Sequence, residues 1–291
     1  MRALLLNFFL FLASASLLAT DYYVAKTGDD ANDGSEASPF LTIGKAAGIM
    51  VAGDVCIIKA GTYREILNPA NGGSATSPIT FKAFGEDEVI LSATEPVTGW
   101  QVHAGPGLKA SANMSLGRQN MLYLNGEPMD HARWPNNTDG DPFTIDAMTV
   151  TSGTAGTIVA TELPPGVNLS GGYVWYLGAH SGASWTQPIN SVSGNTISHN
   201  ANDINRWPFN PHNPTVFRNG NRGRFYVFGT EDLIDTGREW YFDDVANEVI
   251  FQAPEGIDPN TATMEYAVRA HTIFIQRPFI TVEGISTFGG M

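Results

Sequence analysis

The sequence predicts an all-β protein: coils of a parallel β-helix, interrupted by an inserted antiparallel β-domain. Three observations predict it. The 291 residues include 31 Gly and 17 Pro, and only 15% are charged, a composition of many short strands and turns rather than long salt-bridged helices. Short, nearly continuous apolar runs ("DVCIIKAGTYRE", "SPITFKAF", "DEVILSA") are separated by Gly, Pro and Asn at uneven spacing, which suits stacked strands better than hairpins. From Trp100 to about Pro259 the rhythm changes to alternating, aromatic-rich stretches such as "YVWYLG", "RFYVFG" and "REWYFD".

In chain order, residues 1–19 ("MRALLLNFFLFLASASLLA") carry one basic residue, Arg2, then an apolar run and small residues around Ala13–Ala15, the pattern of a secretory signal. The apolar run is short for a bilayer span, so a secreted or periplasmic chain free of the membrane after cleavage is expected. Residues 20–97 hold a cap and the first coils. Tyr22 to Ala25 alternate as a strand, and "TGDDANDGSEASP" is a loop of turn formers. Ile43, Ala46, Ala47 and Met50 then follow one helical face, with Thr42 placed to cap its start and Gly53 to end it. Residues 98–260 form the inserted antiparallel sandwich or barrel, in which "YFDDVANEVIFQA" reads as a hairpin. From 261 to 291 short strands with a glycine corner return ("ATMEYAV", "HTIFIQ", "FITVEGI", "STF"), as successive faces of a coil require.

Composition narrows the function. A formal charge of −13 with no basic tail or basic-aromatic interleave excludes nucleic acid as a natural partner. The single cysteine, Cys56, has no partner in its own chain and sits in an apolar run as a small hydrophobe. "GDDANDGS" lacks EF-hand spacing, since Ala31 stands where a ligand is needed, and reads as a turn whose Asp and Asn side chains cap backbone groups. The six His residues are scattered, so no metal site and no cofactor are expected.

Two segments concentrate functional groups. "MDHARWPN" holds Asp130, His131, Arg133, Trp134 and Asn136, where Trp can stack on a sugar, Arg and Asn can bond hydroxyls and His can relay a proton. "NRWPFNPHNPTVFRNGNRGRF" brings together Arg206, Trp207, His212, Arg218, Arg222 and Arg224 in a long loop, where a uronate carboxylate would find countercharge. Acidic candidates in the insert are Asp130, Asp139, Asp141, Glu239, Asp243 and Asp244; Asp243 and Asp244 fall in the hairpin turn, and no catalytic pair is assigned.

The opening "YYVAKTGDDANDGSEASPFLTIGKAAGIMVAGDVCIIKAGTYRE", with "NGGSATSPITFKAF", resembles the cap and first coils of secreted right-handed β-helix carbohydrate-active enzymes of the pectin-lyase-like fold. "MLYLNGEPMDHARWPN" and "DTGREWYFDDVANEVIFQAPEGIDP" resemble the inserted β-domain of β-helical xylosidase-like and fucosidase-like enzymes, in particular glycoside hydrolase family 141. That resemblance implies a short helix closing the open end of the solenoid, a polysaccharide or oligosaccharide substrate of plant or algal origin, and catalytic groups on later coils. The chain reads as the N-terminal part of such a hydrolase, with an open solenoid end through which it could oligomerise. A β-helical polysaccharide lyase and a non-catalytic glycan-binding module are the alternatives.

Overall fold

A computed structural model describes residues 19–141, 144–161, 163–178, 184–201 and 223–290. The leader and the Arg206, Trp207, His212 loop lie outside these residues. The described chain is nearly all-β, with five sheets and a single α-helix among the described residues. It divides into two compact units: residues 19–93 with His271–Phe288, and residues 94–270.

In the first unit, strands Asp21–Val24, Val55–Ile58, Ile79–Ala83 and Ile280–Glu283 form one sheet, every pair parallel and in register: Tyr22 opposes Cys56, Cys56 opposes Phe81, and Phe81 opposes Val282. A second parallel sheet joins Gly61–Tyr63, Val89–Ser92 and Ile285–Phe288. One face of the first sheet, with Val24, Cys56, Ile58 and Phe81, is buried, while Tyr23, Lys82 and Glu283 lie on the other, partly exposed face. Val24, Cys56, Ile58, Phe81 and Leu91 are buried in one core. Burial pushes the Cys56 thiol far above its ordinary range, so the side chain packs rather than reacts.

The helix runs Ile43–Ile49, and its predicted face, Ile43, Ala46, Ala47 and Met50, is buried. Thr42 Oγ1 accepts from Lys45 N at 3.1 Å, the predicted cap. The end comes earlier than Gly53. Met50 is already extended, with Asn71 donating to its carbonyl at 2.9 Å and Asp54 accepting from Val51 N at 2.8 Å, so side chains take over where helical bonds stop. Glu65, 21 residues downstream of Gly44, accepts from Ile43 N at 3.1 Å and Gly44 N at 2.7 Å. Truncating it leaves two first-turn donors to water; E65A is expected to lower stability by about 1 kcal/mol, seen as a shifted denaturant midpoint at unchanged slope. In the preceding loop, Asp29, Asp30 and Asp33 all accept from backbone N–H groups, and no cluster of three potential metal ligands occurs among the described residues.

The second unit contains three sheets and two cores. The eight-stranded sheet is antiparallel and includes Arg133–Trp134, Arg224–Phe228, Tyr173–Leu177 and Ser184–Ser193 as consecutive neighbours. Its alternation is strict: Val174, Tyr176, Phe225 and Val227 are buried on one face, while Tyr173, Trp175 and Tyr226 point to the other. Cross-strand rings stack there, Trp175 on Tyr226 at 5.0 Å and Tyr173 on Phe228 at 5.4 Å. The predicted hairpin is Glu239–Asp243 against Glu248–Phe251, with Asp243 accepting from Val245 N and Ala246 N in its turn.

Two returning runs differ from the sequence expectation. Met264–Ala267 pairs antiparallel with Leu122–Leu124 and Thr94–Pro96, and its alternating Met264 and Tyr266 pack with Leu122 and Leu124 in one core. His271–Gln276 forms no strand, only a bridge between Leu67 and Ile273. Among the described residues no helix is long and apolar enough to cross a membrane.

Candidate functional site

The segment from Met129 to Trp134 runs between the two cores of the second unit. Met129 is buried in one; Ala132 is buried in the other, with Trp134 packed against it. Asp130, His131 and Arg133 line a cavity of about 440 Å³. Arg118, Gln119, Thr186, Tyr226 and Phe228 also line it, with Met121, Pro128 and Met129 as its apolar part. A concave space of this size with a few convergent polar groups is the usual form of a small-molecule site.

The segment is fixed from beneath. Asp130–His131 pairs in parallel with Glu239–Trp240; Asp130 N donates to Arg238 O at 3.1 Å, and Ala132 N to Trp240 O at 2.8 Å. Glu239, 1% exposed, joins three chain segments: Oε1 accepts from Arg133 N at 3.2 Å, and Oε2 from Asp235 N at 3.0 Å and Thr236 N at 3.2 Å. Burial pushes its carboxyl up to about 7 against the pull of those N–H groups. A raised carboxyl would suit a general acid, but Glu239 does not line the cavity and its oxygens are committed to the backbone; its role is to position Arg133.

Asp130 does face the cavity. Its Oδ1 accepts from Asn137 at 3.3 Å, and its Oδ2 lies 3.9 Å from the buried Arg238 Nε, an ion pair longer than a hydrogen bond. Arg238 takes this place with φ at +85°, a left-handed backbone that costs a non-glycine residue energy, and its Nη2 donates to Pro128 O at 3.0 Å. Arg133 donates to Pro135 O at 2.9 Å and to Asp146 O, and lies 4.0 Å above the Tyr226 ring. Burial raises the Tyr226 phenol, with Arg133 pulling it partly back.

His131 is a structural ring more than a proton carrier. Its Nε2 donates to Asn120 O at 2.9 Å, its ring centre lies 4.1 Å from that of Trp240, and burial holds it down to about 4, so it is neutral at physiological pH. Trp134 and Asn136 are turned away from Asp130. They line a different cavity, of about 430 Å³, with Asp146 and Arg224, and Asn136 donates to Asp235 Oδ1 at 2.7 Å. The other acids serve turns: Asp139 accepts from Asp141 N and Thr144 Oγ1, which lowers its carboxyl. The structure thus brings together Asp130, His131 and Arg133 of the predicted set, and adds Arg118, Thr186 and Tyr226. Tyr226 had a signal, the alternation of "RFYVF"; Arg118, on the short 3-10 turn Gly117–Gln119, had none.

No protein-family model matches the chain. An uncharacterized protein, YwoF of Bacillus subtilis (strain 168), is 37% identical over 73 residues, 25% of this chain and 16% of that protein. Among solved structures, a glycoside hydrolase superposes over 92% of this chain and 50% of its own, with a TM-score of 0.70 at 20% identity. XylC in complex with xylose is matched over 90% of this chain and 34% of its own, at a TM-score of 0.44, too low to carry an argument. The chain therefore spans about half the length of the glycoside hydrolase it resembles, and at that identity the fold is what the two share.

Proposed function

We propose that the chain is part of a secreted glycoside hydrolase acting on plant or algal polysaccharide, and that the cavity at Asp130, Arg133 and Arg118 holds the sugar. The observation that carries this reading is the cavity itself, which sets carboxylate, guanidinium and hydroxyl groups beside the Tyr226 and Phe228 rings, a mix of polar and apolar groups that suits a pyranose. The fold shared with a glycoside hydrolase supports it. The two parallel sheets support the finer reading that the first unit is the start of a right-handed β-helix like that of family 141.

Glycoside hydrolysis uses two carboxyl groups about 5–9.5 Å apart across the bond. Asp130 is the one carboxylate lining this cavity among the described residues. The cavity accordingly binds sugar, and the bond-cleaving pair lies outside it. The purified 291-residue chain is expected to bind plant or algal cell-wall oligosaccharides with no reducing ends released and no unsaturated product absorbing in the ultraviolet. Release of reducing ends that is lost in D130N would place the chemistry in this cavity and contradict the reading; an unsaturated product would show a lyase instead.

A further inference from the structure

The charges around the cavity run against those of the whole chain. Acidic residues outnumber basic ones 29 to 16, yet two arginines, Arg118 and Arg133, line this wall beside a single carboxylate. That carboxylate, Asp130, already has Arg238 behind it at 3.9 Å. Neither lining arginine meets a carboxylate among the described residues: Arg133 donates to the carbonyls of Pro135 and Asp146, and Arg118 Nη1 donates to Thr186 O at 3.2 Å. Carbonyls satisfy hydrogen bonds without neutralising charge. The lining of this cavity therefore carries two guanidinium groups against one carboxylate, with Asp244 in the adjoining cavity that shares Arg118, on a protein whose distant field is negative and screened within about 8 Å at physiological salt.

Resting on the sugar-binding reading above, we propose that this cavity selects a carboxylated sugar, a uronate residue within an oligosaccharide, with Arg118 as the residue that determines the specificity. Arg133 is held by two carbonyls and the Tyr226 ring, so its guanidinium is a fixed positive wall. Arg118 is exposed and held by one bond, on a 3-10 turn, and can present its remaining N–H groups to a carboxylate in the forked geometry that guanidinium favours. Thr186 and Tyr226 offer hydroxyls to the rest of the ring, and Phe228 an apolar surface. The sequence alone assigned uronate recognition to the Arg206 loop, which lies outside the described residues.

The test compares ligands that differ only in their carboxyl groups, one in the first pair and two in the second. Calorimetric titration of the full chain with cellobiouronic acid against cellobiose, and with digalacturonic acid against α-1,4-galactobiose, is expected to show one acidic member binding about tenfold tighter than its neutral partner, the size of one charge-assisted bond. Raising the salt should shrink that advantage. R118Q should remove it with the melting temperature unchanged, because Arg118 is exposed, and R118K, which keeps the charge without the fork, should restore part of it. Equal binding of acidic and neutral members, or an advantage that survives R118Q, overturns the uronate proposal while leaving sugar binding intact. Absence of binding by all four ligands overturns both.

Discussion

Replacing Glu239 by alanine is expected to destabilise the protein by about 3 kcal/mol, among the largest effects of any single substitution near the cavity. The side chain is buried and is the acceptor for Arg133 N, Asp235 N and Thr236 N; its removal strands three donors, each costing about 1–3 kcal/mol unless water reaches it. The same variant should loosen the strand carrying Arg133 and weaken sugar binding. Glu239→Gln separates the two effects. Glu239 has its carboxyl raised from 4.5 to about 7, so the folded state binds the proton more tightly than the unfolded state, and its contribution to stability is largest at low pH and is lost as pH rises through that window. His131 acts in the opposite sense: lowered from 6.5 to about 4, it contributes stability above 6.5 that is lost as pH falls towards 4. The two slopes oppose each other where the windows overlap. Denaturant titrations of the native chain should therefore show a muted pH dependence between about 4.5 and 6.5, and E239Q should uncover a rise of stability with pH. A parallel pair of curves would show that Glu239 does not titrate there.

The second large effect is at Trp240. It is fully buried, its Nε1 donates to Met129 O at 3.1 Å, and its ring supports His131. W240A opens a cavity in the core and leaves a carbonyl unpaired, at an expected cost of about 3–5 kcal/mol. With the covering ring gone, water also reaches the face of His131 that Trp240 covers, and its protonation midpoint, followed by NMR of the imidazole, should rise from about 4 towards 6.5. W240F keeps much of the volume and should leave the midpoint low. A midpoint unchanged in W240A would mean that Trp240 is not what desolvates the ring.

Local patterns were legible and distant partnerships were not. The Ile43–Met50 face and the Thr42 cap followed from helical spacing, and the hairpin from Asp243 between alternating strands. Its neighbour Glu239 was legible as an acid but not as a clamp, because its partner Arg133 stands 106 residues away and the bond goes to a backbone N–H that carries no sequence signature. "MDHARWPN" was legible as a dense run of polar and aromatic groups, but strand pleating sends Arg133 and Trp134 to opposite faces: Arg133 opposes Phe228 on the cavity side, and Trp134 opposes Val227 on the core side. Arg118 was missed because a lone Arg after Gly117 has no period or motif to mark it; only the fold brings that turn to Thr186.

The most direct measurement is a crystal structure of the chain with a bound oligosaccharide. The expected density lies between Asp130 and Thr186, with a sugar hydroxyl on the Asp130 carboxylate and a ring edge against Tyr226 and Phe228. A sugar bound elsewhere, with the Asp130–Arg133 cavity holding only water at saturating ligand, would contradict the assignment of this wall as the sugar site.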